Sequence, residues 1–218
     1  VDADAFAGPF DTADLVERFG LAGKTVLLTV GRLTRRKGHD TVLSALARLR
    51  PLGLLQDLVW LVLSDGELEA ELKKTCSALG LDDVVRWVGP VSRDALPRYY
   101  AAADVFVHPN RTLDDDDVEG FGMVFLEASA AGLAVIGGRS GGVVDAVEDG
   151  GSGMLVDGTS LDAVTDAIAN LVRDPVRRAA MGRRGPAWAR RFRWEVQAAR
   201  VRSLASGDGD ADTAAATS

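Results

Sequence analysis

The chain has 218 residues, enough for one large domain with its own core and short for two. Hydrophobic residues are 47% and charged residues 26%, which excludes a disordered or fibrous chain for the bulk of the sequence. A net charge of −7 weighs against general attraction to a nucleic-acid backbone, so any site for a polyanion is local. No apolar run approaches the roughly 18 residues of a spanning helix, and no charged segment followed by an apolar one opens the chain as an export signal would.

In chain order, residues 1–23 mix Pro, Gly and Asp ahead of any strand and resemble the end of a linker. Residues 25–30 form the first predicted strand, followed by a basic loop and a helix over 40–50 with Asp40 placed to cap it. Predicted strands at 58–63, 84–88, 105–108 and 134–137 then alternate with helices at 67–79, 93–103 and 122–131. Short, near-continuous apolar strands between amphipathic helices imply an α/β fold, a doubly wound parallel sheet with both faces covered. Ligands of such sheets bind at the carboxyl ends of the strands. Beyond an apolar stretch at 154–156 the chain reads as a helical C-terminus, with helices at 161–173, 176–192 and 194–204. Asp174 and Pro175 mark the first helix end. The tail 207–218 has no apolar periodicity and reads as disordered, leaving 24–206 as the folded domain. The one cysteine, Cys76, falls at helical spacing with Leu68, Leu72 and Leu79 and reads as a core thiol.

The dinucleotide fingerprint GxGxxG and the phosphate loop GxxxxGK[ST] are both absent, so another arrangement must serve any nucleotide. Two candidates stand at strand ends. The loop Gly31-Arg32-Leu33-Thr34-Arg35-Arg36-Lys37-Gly38 puts four cations within six residues, suited to a diphosphate whose charge grows as it leaves, although a solvated basic loop would look the same. The segment 119–127, EGFGMVFLE, joins the fourth strand to its helix. There Gly120 and Gly122 allow close backbone approach, and the helix start presents unpaired N–H groups to an anion. Glu119 and Glu127 bracket that start, and Glu127 rises from an otherwise apolar face, where sugar hydroxyls would satisfy it. His39 and His108 have no partner at metal or triad spacing and read as structural.

Two Glu with seven residues between them, the GR…RKG loop and the order of elements resemble the C-terminal domain of retaining GT-B glycosyltransferases of family four, over nearly the whole chain. The resemblance implies a Rossmann-like domain that binds a nucleoside diphosphate sugar as donor substrate, with no further cofactor and no metal. It assigns Arg32 and Lys37 to the diphosphate, Glu119 to the donor sugar and Glu127 to the ribose hydroxyls, and makes Arg32, Lys37 and Glu119 the catalytic set. Gly31, Gly120, Phe121, Gly122, Met123 and Val124 supply backbone around sugar and phosphates, while Val88 and Val91 lie in the wall against the base. The partner implied is an N-terminal acceptor-binding domain that forms the other wall of the cleft, so these residues alone are expected to be inactive. The acceptor would be a lipid or glycan at a membrane surface, and the enzyme cytoplasmic and peripheral to the inner face through that domain. The loop DDDDVEGFG resembles phosphatidylinositol mannosyltransferases of actinobacteria, which would make the donor GDP-mannose. Ser64 stands in Leu63-Ser64-Asp65-Gly66 where the family more often has a Gly-rich turn. Two alternatives remain: a nucleotide-sugar-binding module without turnover, and a metal-dependent phosphohydrolase using the acidic run Asp114 to Asp117.

Overall fold

The structure, a computed structural model, describes residues 1–113 and 119–206. The acidic run Asp114 to Asp117 and the tail 207–218 lie outside the described residues. Six strands, β1 (Thr25–Val30), β2 (Leu58–Leu63), β3 (Val85–Gly89), β4 (Val105–His108), β5 (Ala134–Gly138) and β6 (Gly153–Val156), form one sheet in the order β3-β2-β1-β4-β5-β6. Every neighbouring pair is parallel. The chain winds outward from β1 in one direction, then returns to place β4 on its other side. This reversal opens a crevice beyond the carboxyl ends of β1 and β4.

The covering helices are α1 (Ala13–Phe19), α2 (His39–Leu49), α3 (Glu69–Ala78), α4 (Leu96–Ala101), α5 (Met123–Ala130), α6 (Val143–Ala146), α7 (Leu161–Arg173), α8 (Pro175–Arg190) and α9 (Trp194–Ser206). Alternation along each strand divides the apolar residues between two cores. Trp60, Leu27 and Val105 lie side by side in register and face α2, α3 and α7. Leu61, Leu28, Phe106 and Val135 form the next row and face α4, α5 and the N-terminal segment, where Val1, Phe6, Leu15 and Phe19 are buried. Cys76 is fully buried in the first core, and burial raises its thiol pKa to about 11.

Several local expectations change. Asp40 does not cap α2. Gly38, with φ +74°, makes the entry, and Asp40, already inside the helix, accepts a hydrogen bond from Arg111 Nη2 at 2.8 Å. Helices α1 and α6 occupy stretches where no helix is expected, because seven and four residues are too short to establish a period. Asp174 ends α7 and also caps α8, its carboxylate accepting from the Arg177 N–H at 2.8 Å with Pro175 at the first helical position.

Candidate functional site

The basic loop leaves β1 at Gly31 and closes with a single 3₁₀ turn, Arg35–Lys37, before Gly38. A Cβ on Gly38 would lie 2.3 Å from the Pro109 carbonyl, so only glycine lets this turn settle against the end of β4. That approach carries Lys37 inward. Its Nζ donates to Glu119 Oε2 at 2.5 Å, with both side chains about 10% exposed. Arg36 Nη1 donates to the same oxygen at 2.5 Å and Asn110 Nδ2 at 2.6 Å. One carboxylate thus draws together the loops after β1 and β4.

The main chain at Glu119 is fixed from the other side. The N–H of Gly142 reaches the carbonyls of Gly120 at 2.8 Å and Glu119 at 3.3 Å. A Cβ on Gly141, where φ is +52°, would stand 1.9 Å from the Glu119 carbonyl, so the turn after β5 can lie flat on this loop only without side chains. Gly122, with φ +77°, then starts α5. The N–H groups of Gly122, Met123 and Val124 donate to no acceptor among the described residues, and Phe121 and Met123 are exposed at 44% and 42%. An open helix start of this kind favours an anion.

Glu127, the fifth residue of α5, is 9% exposed and accepts a 2.9 Å hydrogen bond from the hydroxyl of the fully buried Tyr100 in α4. Burial raises its carboxyl pKa, while the Tyr100 bond and the charge of Arg93 oppose the rise. Arg93 belongs to the segment after β3, where Val88 and Val91 are half-buried against the second core. Arg32 differs from Lys37: it is exposed, and its side chain has no hydrogen bond or ion pair among the described residues.

His39 and His108 lie beneath this surface, 1% and 0% exposed, with ring centroids 5.6 Å apart and no hydrogen-bond partner for any ring nitrogen among the described residues. Burial lowers the pKa of His39 to about 4 and that of His108 well below the usual imidazole range, with the Lys37 charge adding to both shifts. No group of three or more His, Cys, Asp or Glu among the described residues is placed to hold a metal ion.

The site therefore joins Lys37, Arg36, Asn110 and Glu119 at the crevice, beside the open start of α5 and one turn from Glu127. Asn110, Tyr100 and the Gly141-Gly142 pair also hold the two glutamates in place, although no motif in the sequence marks them. The visible signals were a polar residue two positions past the end of β4 and a second glycine pair after β5.

Residues 13–188 match the family model for glycosyl transferases group 1. The chain belongs to this family. A GDP-mannose-dependent alpha-(1-6)-phosphatidylinositol monomannoside mannosyltransferase of Mycolicibacterium smegmatis is 41% identical over 95% of this chain and 54% of its own length. A D-inositol 3-phosphate glycosyltransferase of Arthrobacter is 36% identical over 91% of this chain and 46% of its own. Among solved structures, Anabaena Alr3699/HepE in complex with UDP superposes with a TM-score of 0.80 at 25% identity, over 94% of this chain and 56% of that one. The chain thus spans about half the length of these relatives, and its sheet is the Rossmann-like domain of a GT-B fold.

Proposed function

We propose that this chain is the donor-binding half of a retaining glycosyltransferase that uses GDP-mannose and needs no metal ion. The observation that carries the reading is the crevice itself, where Lys37, the open start of α5 and the two buried carboxylates Glu119 and Glu127 line one edge of the sheet. The name of the Mycolicibacterium relative supports the choice of base and sugar. Lys37, Arg32 and the N–H groups of Gly122 to Val124 hold the diphosphate, where their positive charge stabilises the leaving group as its own charge grows. Glu127 takes the ribose hydroxyls and Glu119 the mannose. The bond from the anomeric carbon to the phosphate oxygen breaks while the acceptor oxygen bonds on the same face, and the acceptor proton passes to the leaving phosphate. An N-terminal domain supplies the acceptor wall and holds an inositol-bearing lipid at the inner membrane face.

Calorimetric titration of the chain with GDP-mannose, UDP-glucose and ADP-glucose, each with and without chelator, tests the reading. GDP-mannose is expected to bind tightest and to be indifferent to chelation. A metal requirement, or failure of all three to bind, contradicts it.

A further inference from the structure

The solvent face of α8 contrasts in charge with the rest of the molecule. Residues 175–191 carry six arginines and no acidic residue in a chain of net charge −7. Arg177, Arg183, Arg184 and Arg190, with Arg191 at the helix end, are exposed. Arg177, Arg184 and Arg191 stand seven apart on one line of the helix, and Arg183 and Arg190 on the line beside it, with only Val176, Ala180 and Ala187 between. From Arg177 to Arg191 the ridge is about 21 Å long at 1.5 Å per residue. Arg184 reaches Glu148 at 3.6 Å, but the side chains of Arg177, Arg183 and Arg190 make no hydrogen bond or ion pair among the described residues.

The ridge also has an apolar component. Val176 is 75% exposed at its start. At its end the Arg191 guanidinium lies 4.7 Å from the Trp188 ring, Trp188 meets Phe192 at 5.4 Å, and Phe192 meets Phe121 at 5.7 Å. Guanidinium groups beside aromatic rings suit a headgroup layer, which is anionic at its surface and takes amphipathic rings at its boundary. A nucleic-acid backbone would use the arginines and leave the apolar groups in water. From this pairing we infer that the exposed face of α8 docks the chain on an anionic lipid bilayer. The contact ends beside the Gly-rich loop, because Phe121 belongs to it.

Co-sedimentation with phosphatidylcholine vesicles, pure or with one-third phosphatidylglycerol, tests the inference on the 218-residue chain. The parent is expected to sediment with the anionic vesicles alone and to be released when salt rises from about 0.1 M to about 1 M, shortening the screening length from roughly 10 Å to 3 Å. The variant R177Q/R183Q/R190Q/R191Q should bind at least about a hundredfold more weakly, since each arginine near such a surface contributes roughly fivefold. R18Q/R48Q/R50Q/R86Q, with the same change in net charge, should stay within a few-fold of the parent. R183Q and R190Q singly, each expected to lose several-fold, keep the test decisive should the quadruple variant lose helix by circular dichroism. Equal loss in the two quadruple variants, absence of sedimentation, equal binding to pure phosphatidylcholine, or tighter capture by duplex DNA in the same salt would overturn the inference.

Discussion

Glu119 takes three donors on one oxygen, and two of them are cations that the donor diphosphate would also attract. The carboxylate thereby ties the loop after β1 to the loop after β4, segments 82 residues apart in the chain, at the mouth of the crevice. Ser64 shows a different kind of constraint. It directly follows β2 with φ +123°, the one non-glycine residue with positive φ among the described residues. Its N–H is bound to the Gly89 carbonyl at 2.9 Å, while the adjacent turn is stitched to the basic loop through Leu33 N–H to Asp65 O at 2.9 Å and Leu68 N–H to Leu33 O at 3.1 Å. Strain of this kind costs roughly 1–3 kcal/mol, and glycine relieves it at an entropic cost of about 0.5–1 kcal/mol. Ser64→Gly is therefore expected to raise the unfolding free energy by about 1 kcal/mol in urea titrations; an unchanged or lower midpoint would show the backbone to be unstrained.

The elements were legible wherever an apolar run or a 3.6-residue period persisted. β1, β2 and β4 match their predicted limits because each is a short, mostly apolar run with a turn-forming or polar residue on either side, Lys24 and Gly31, Asp57 and Ser64, Asp104 and Pro109. α7 does so because its apolar stripe is wide and Ser160 caps it, accepting from the Ala163 N–H at 3.2 Å. α4 is shorter than its predicted span because residues 93–95 form turns, and the aromatic pair Tyr99 and Tyr100 rather than its length anchors it to the second core. Strand order was not in the sequence at this resolution, since apolar runs of similar length carry no pairing label. The resemblance set Lys37 and Glu119 in one site, but neither their ion pair nor the part of Asn110 was legible. Lys37 and Glu119 are 82 residues apart, and what brings them together is the close approach of Gly38 to Pro109 and of Gly141 to Glu119, which are properties of the folded backbone.

At the scale of the whole molecule, two neutral imidazoles sealed under the crevice make stability depend on pH. An unfolded histidine takes up its proton near pH 6.5, whereas His39 in the fold does so only near 4 and His108 well below the usual range. Between those values the unfolded state binds more protons, so stability falls as pH drops from about 6.5 toward 4, by about 3 kcal/mol from His39 alone. Glu127, whose pKa is raised, acts in the opposite sense and offsets part of this loss. Urea midpoints measured across that window should fall with acid, and His39→Phe, which keeps a ring near Trp60, should flatten the fall by about one proton's worth. A pH-independent midpoint would contradict the burial described. The proposed function divides the labour between the two carboxylates, and a thermodynamic cycle of two variants against two ligands tests it most directly. With GDP and GDP-mannose as ligands, Glu127→Gln is expected to weaken both alike, and Glu119→Gln to leave GDP unaffected while removing the extra affinity that the sugar contributes, about 1–2 kcal/mol. Equal weakening of bare GDP by both variants would contradict the assignment.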